Sequence, residues 1–463
     1  MSEEMKTLRK QLLRDSRSGY DVLEEAQLRQ MEDYCADYKA FLGNKTERLS
    51  ARAAIAAAEA HGFVEYRRGM ALEPGDKVYT CNRGKGLMLA VMGRESMAEG
   101  VQIAAAHIDS PRLDLKPNPL YEDSELAYFK THYYGGIRKY QWVTIPLQLQ
   151  GVVVKKNGTA VEVCIGEKGE PQLVITDLLP HLGGEQGKKP LSEAIPAETL
   201  NILLGSRPIG DEDDSDRVKL HVMKRLYDKY GITESDFASA ELEAVPAADA
   251  VDIGIDGSMI GSYGHDDRVC GYAALRALLE LDAPAKTAVC VLADKEEIGS
   301  MGVTGMQSAV FETFLSDLCD SQNVPLKVCF ENSFCLSADV TAAYDPNFAD
   351  VFDKKNAAFL NHGVGLCKYT GARGKSGSSD AGAETVAYVR SLLDGAGVRW
   401  QICELGKVDA GGGGTVAQYM ANRNIATLDA GVPVLSMHAP FEVVAKLDCY
   451  EMYRACKAIY EAR

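Results

Sequence analysis

The sequence predicts an α/β fold, a mixed sheet flanked by helices, with a smaller β-rich domain inserted into it. Short apolar runs bounded by glycine or charge recur on both sides of the chain's middle, as buried strands do. Helically spaced stretches lie between several of these runs, and such alternation favours a sheet covered on both faces. Between Leu115 and Val245 the texture changes to alternating segments with a hairpin signal, the pattern of an antiparallel unit. The length of 463 residues agrees, since it exceeds a single domain of roughly 150 residues.

The elements follow in order. Leu8, Leu12 and Leu13, then Leu28, Met31, Tyr34 and Cys35, repeat at helical spacing, and Ala51 to His61 is rich in alanine, so the lead-in is expected to be helical. Strands are expected at Gly86 to Gly93, Val101 to Ala106, Thr287 to Ala293, Val328 to Phe330 and Val432 to Met437. Helices are expected at Val269 to Leu281, Val310 to Leu318, Ala381 to Leu393 and Glu442 to Ala462. Within the insertion, Val143 to Leu149 and Val152 to Val154 alternate. Lys155-Lys156-Asn157-Gly158 reads as a hairpin turn before Ala160 to Cys164. The expected division is therefore a main domain from residues 1–112 and 248–463, interrupted by an inserted domain over 113–247. The acidic run Asp211 to Asp216 reads as a solvated loop in that insert.

Lys plus Arg number 50 against 66 Asp plus Glu, a formal net charge of −16. A surface of that sign is a poor partner for nucleic acid or anionic membrane. No apolar run approaches the ~20 residues of a membrane-spanning helix, and the N-terminal residues Met1 to Lys6 are largely charged, so a cytoplasmic protein is expected. The 12 cysteines form no C-x-x-C pair, and buried thiols are expected in place of a disulfide framework.

Several apolar segments end in groups able to bind a cation. In His107-Ile108-Asp109 an extended chain points imidazole and carboxylate the same way, so the carboxylate can accept from the histidine's second nitrogen. Asp266-Asp267-Arg268 precedes a helix, where a carboxylate either caps N–H groups or ligates a cation. Glu296 and Glu297 follow the strand ending at Ala293; their side chains diverge, so one can bind metal while the other holds a proton. Asp339 and His438 end two further apolar segments. The carboxyl ends of strands line the ligand crevice of open α/β sheets. Oxygen and imidazole donors gathered there suit zinc, cobalt or manganese.

The order of these motifs resembles the M18 family of metalloaminopeptidases, of the aspartyl aminopeptidase and aminopeptidase I type, over nearly the full chain. Its carriers are His107 to Pro111, Asp266-Asp267-Arg268, Asp294 to Ser300, Ser337-Ala338-Asp339 and Met437-His438. The resemblance implies two divalent metal ions, most readily Zn2+. His107, Asp266 and Asp339 would hold one ion, and Asp266, Glu297 and His438 the other. Glu296 matches the family's general base and Asp109 the acid that orients His107. His181 resembles a histidine that reaches a neighbouring subunit's site, and Lys368 a lysine near the substrate side-chain pocket. The resemblance also implies that the inserted domain mediates dimerisation and that dimers build a tetrahedral dodecamer.

The expected reaction is removal of N-terminal residues from small peptides, acidic ones through a local cation such as Lys368, with neutral residues an alternative. The same donors can hydrolyse other amides, so a metal deacylase or carboxypeptidase is a second reading, and a non-catalytic oligomeric assembly protein a third. The glycine-rich segment Gly371 to Ser378 departs from the animal members that the resemblance brings in, at the expected substrate pocket, and Gly411 to Gly414 receives no catalytic role.

Overall fold

Successive side chains of a strand face opposite ways, and in the central strands both faces are apolar. Ala104 and Ala106 pack with one core cluster while Ile103 and Ala105 pack with another, so this strand must be covered on both sides. A computed structural model, which describes residues 2–14 and 17–463, shows that cover; Met1 of the N-terminal segment lies outside the described residues. Among the described residues, nine strands form the main sheet. In spatial order they are Val64–Glu65, Lys77–Asn82, Gly86–Val91, Ala288–Ala293, Gln102–His107, Phe334–Ala338, Ala426–Gly431, Val364–Cys367 and Trp400–Ile402. The four running from Ala288–Ala293 to Ala426–Gly431 are mutually parallel, and antiparallel neighbours flank them.

One face is covered by Glu25–Phe41, Glu47–Ala60, His265–Leu279, Ala383–Gly395 and the C-terminal helix Lys446–Tyr460. The other is covered by Val310–Asp320, Leu326–Glu331 and Ala417–Ala421. The first described helix, Glu3–Leu12, buries none of its residues. No helix among the described residues is long and apolar enough to cross a membrane.

A second, six-stranded sheet is antiparallel throughout, in the order Ala160–Ile165, Leu147–Val154, Ala240–Pro246, Arg112–Asp123, Leu126–Tyr134 and Ile202–Gly205. It has its own core around Trp142, Phe129 and Leu242 and carries one longer helix, Arg217–Tyr230, absent from the sequence reading. The acidic run 211–216 is an exposed loop leading into that helix. A third sheet joins Val251–Ile253, Met259–Ser262, Glu442–Ala445, Pro433–Leu435 and Thr341–Ala342.

Three expected elements differ. Val328 to Phe330 is not a strand but part of the helix Leu326–Glu331, and the strand begins at Phe334. A run of three apolar residues has no readable period, and here Cys329 and Phe330 are buried on one helical turn, with Phe330 stacked on Phe311. The run Val432 to Met437 yields strand only over Pro433–Leu435, which leaves the main sheet for the small one after Gly431. The terminal helix starts at Lys446 and not at Glu442, because Glu442–Ala445 pairs with Met259–Ser262.

Candidate metal centre

Parallel neighbours end on the same edge of a sheet. His107 closes its strand there, Asp294 to Glu297 follow the strand Ala288–Ala293, and Asp339 follows Phe334–Ala338. The small sheet brings the rest: Met259–Ser262 leads through Gly264, at φ +74°, to Asp266, and the turn between Pro433–Leu435 and Glu442–Ala445 carries His438. The Asp266–Asp267 peptide bond is cis.

The two oxygens of Asp266 face different imidazoles. Oδ1 lies 3.2 Å from His107 Nε2 and Oδ2 lies 3.1 Å from His438 Nε2. Asp339 Oδ1 stands 3.8 Å from His107 Nε2, and Glu297 Oε2 stands 3.6 Å from His438 Nε2. Each ring is held from its far side. His107 Nδ1 lies 3.2 Å from Asp109 Oδ1 and 3.0 Å from the Asp109 carbonyl, and His438 Nδ1 donates to the Gly136 carbonyl at 2.8 Å. A proton kept on Nδ1 leaves both Nε2 lone pairs aimed inward, as a metal site requires.

Asp109 is fully buried. Its Oδ1 accepts the Glu296 N–H at 3.2 Å, and its Oδ2 accepts the Glu297 N–H at 3.2 Å and the Tyr134 hydroxyl at 2.8 Å. It thus fixes one imidazole and the backbone of both glutamates at once.

The charges also call for a cation. Burial and then Asp266 push the Glu297 carboxyl well above its ordinary value, and burial and Asp267 do the same to Asp339. Burial, with Asp109 and Asp266 adding repulsion, raises Glu296 to about 7. At His438 burial pulls the imidazole down, but Asp266 and Glu297 outweigh it and raise it to about 10. Glu297 Oε1 is buried with no hydrogen-bond partner, an acceptor left for a ligand. Ligand atoms of His107, Asp266 and Glu297 lie within 4.8 Å of one another, as do those of His107, Asp267 and Asp339. Asp267 had no part in the sequence reading of the ligands. It accepts the His107 backbone N–H at 3.4 Å and does not line the cavity, whereas Asp266, Glu296, Glu297, Asp339 and His438 all do.

That cavity measures about 460 Å³. Val340, Cys367, Leu405 and Met437 give it an apolar wall, and among the described residues no lysine or arginine lines it. Lys368 instead points its ammonium at Asp380, 3.4 Å away. His181 sits exposed on a turn of the inserted segment, away from the cavity lining. The two glycine-rich segments meet at the rim: Gly371 donates to the Gly413 carbonyl at 2.6 Å, and a Cβ on Gly412 would overlap the Gly371 carbonyl.

Sequence reasoning missed Glu442, Tyr134 and Gly136. Glu442 is buried; Oε1 accepts the His438 N–H at 2.6 Å and Oε2 the Asp266 N–H at 3.1 Å. Nothing local marks it, since it was read as the first residue of a helix. For Gly136 a signal existed: a Gly-Gly pair ending an alternating run points to a close backbone approach.

A model of the family described as aminopeptidase I zinc metalloprotease (M18) matches residues 44–460. A protein of Clostridium acetobutylicum named probable M18 family aminopeptidase 1 is 48% identical over 450 residues, covering 95% of this chain and 97% of its own. The crystal structure of an M18 family aminopeptidase from Thermotoga maritima superposes with TM-score 0.93 at 42% identity, over 97% of this chain and 99% of that one. A more distant likeness, at 21% identity and TM-score 0.76, is to the yeast mApe1 dodecamer, over 93% of this chain and 99% of that one.

Proposed function

The chain belongs to the M18 family of zinc metalloaminopeptidases, and from that premise we propose that it binds two divalent ions, Zn2+ foremost, and releases neutral N-terminal residues from small peptides. The observation that carries this is Asp266, whose two oxygens each face an imidazole on the floor of a cavity that Glu296 also lines. His107, Asp266 and Asp339 form one ligand set, and Asp266, Glu297 and His438 the other. Bound divalent ions supply Lewis acidity, polarising the scissile carbonyl and making the attacking water more acidic. Glu296, which lines the cavity beside the proposed ligands, takes the proton of that water and returns it to the leaving amine. Asp109 keeps His107 and the Glu296 backbone in register.

The kinship with M18 aminopeptidases supports release of an unblocked N-terminal residue over deacylation of blocked substrates. The wall of Val340, Cys367, Leu405 and Met437 supports an apolar or small first residue, and the lack of a lysine or arginine among the described lining residues argues against an acidic one. The exposed apolar side chains Leu178, Leu179 and Leu182 beside His181 support that loop as a subunit contact of a homo-oligomer, with the inserted domain at the interface and the tetrahedral dodecamer its full form. Free thiols throughout the described residues, with no disulfide, support a cytoplasmic setting.

Glu296→Gln tests the assignment: it retains all ligands and removes the base. Hydrolysis of Leu-, Ala-, Asp- and Glu-initiated peptides, free and N-acetylated, should fall by at least about 10²-fold in the variant, with zinc content unchanged. In the parent, free Leu peptides should lead the panel. Full activity in the variant overturns the role of Glu296, and faster release of Asp or Glu than of Leu overturns the neutral pocket.

A further inference from the structure

We propose that Tyr134, Gly135 and Gly136, the end of a strand of the inserted sheet, form a positioning segment through which the insert sets the geometry of both imidazoles. This rests on the ligand assignment above and goes beyond it, because none of the three residues would itself hold an ion.

The segment ends the strand Leu126–Tyr134 and continues to Gly136, which lines the cavity. Tyr134 donates its hydroxyl to Asp109 Oδ2 at 2.8 Å, and Asp109 in turn holds His107 Nδ1. Two residues on, the Gly136 carbonyl accepts from His438 Nδ1 at 2.8 Å. One short stretch of chain therefore bears on the two rings that face the opposite oxygens of Asp266, through a side chain at one and a carbonyl at the other. Gly135 lies between, at φ +73°, against Glu297. A Cβ there would stand 3.2 Å from Glu297 Oε2 and 3.4 Å from the Pro111 side chain, so position 135 needs both the backbone freedom and the small size of glycine. A Cβ on Gly136 would meet His438 Nδ1 at 3.3 Å.

The tyrosine ring is itself anchored. The guanidinium of Arg112 stacks over it at 3.9 Å. Arg112 is nearly fully buried and reaches Glu47 of the helix Glu47–Ala60 at 3.3 Å, Glu243 of the inserted sheet at 3.3 Å and Asp114 at 2.8 Å. Glu47 also meets Lys85 at 3.3 Å. This charged cluster spans the junction between the main domain and the insert, so the position of the Tyr134 hydroxyl depends on how the two are seated. Partners of metal-ligating histidines commonly govern metal affinity as much as rate, about 10–100-fold on removal.

Tyr134→Phe keeps the ring beneath Arg112 and deletes the hydroxyl. Zinc affinity, measured by competition with a chromophoric chelator, should fall about 10-fold or more, and kcat should fall with KM within about twofold. Gly135→Ala should weaken zinc binding in the same direction. Val163→Ala, in the core of the same inserted sheet but on the edge strand Ala160–Ile165 at its other side, is the structural control. It should lower the unfolding midpoint and leave zinc affinity unchanged. Parental zinc affinity in both Tyr134→Phe and Gly135→Ala overturns the proposal, as does an equal loss in Val163→Ala. Because the parent's own zinc binding and hydrolysis are read in the same assays, failure of the underlying site assignment shows separately.

Discussion

Glu442 gives each carboxylate oxygen to the backbone of a different proposed ligand, His438 on one side and Asp266 on the other. His438 needs such a hold because its φ of +65° is a conformation that non-glycine residues seldom adopt. Glutamine in its place offers one acceptor oxygen and turns an NH2 group toward a second N–H. Glu442→Gln should therefore loosen one ligand and weaken zinc binding about 10-fold, read by chelator titration; unchanged affinity would show that the turn holds His438 without it. The proposed ligands could be named from the sequence because they are metal-binding residue types within motifs whose order resembles the M18 family. Glu442 and Tyr134 could not be, since each acts on residues that only the folded chain brings near: Tyr134 lies within the insert, and Glu442 was taken for the start of a helix. Lys368, expected as a local cation near the pocket, lies 3.4 Å from Asp380.

Among the elements, the strand Ala426–Gly431 shows how closely backbone is packed beside the site. Gly431 has no positive φ to explain it, yet a Cβ there would overlap the carbonyl oxygen of Asp339. Gly431→Ala should displace the segment carrying Asp339, cutting both hydrolysis and zinc affinity about 10-fold or more while the far-UV circular dichroism stays parental. If affinity and rate both stay at the parental level, the neighbouring strand yields and Asp339 does not depend on that contact. The alternation of strands and helices in the main domain was readable because long segments carry a clear period. Val328 to Phe330 was not, since three apolar residues fit one turn of buried helix as well as they fit a strand, and pairing between Glu442–Ala445 and Met259–Ser262 overrode a helical reading that starts only at Lys446.

At the scale of the whole molecule, the net charge of −16 acts on any peptide that approaches. Peptides with lysine beyond the first residue should lose kcat/KM as salt rises from about 0.05 to 0.5 M, and those with aspartate there should gain, since screening removes attraction in one case and repulsion in the other. Matched peptide pairs assayed across that range check it; parallel salt responses would place the charge too far from the entrance to matter. The architecture also bears on how the molecule comes into being. His107 and His438 stand 331 residues apart, with Tyr134, Asp266, Glu297 and Asp339 between them, and three sheets must be paired before these groups meet. Contacts of such long sequence separation close late, because the loop entropy is lost before the contact repays it. Metal capture thus belongs to the last stage of folding, and a chain still emerging from synthesis, holding His107 and Asp109 without their distant counterparts, has no complete site with which to take an ion.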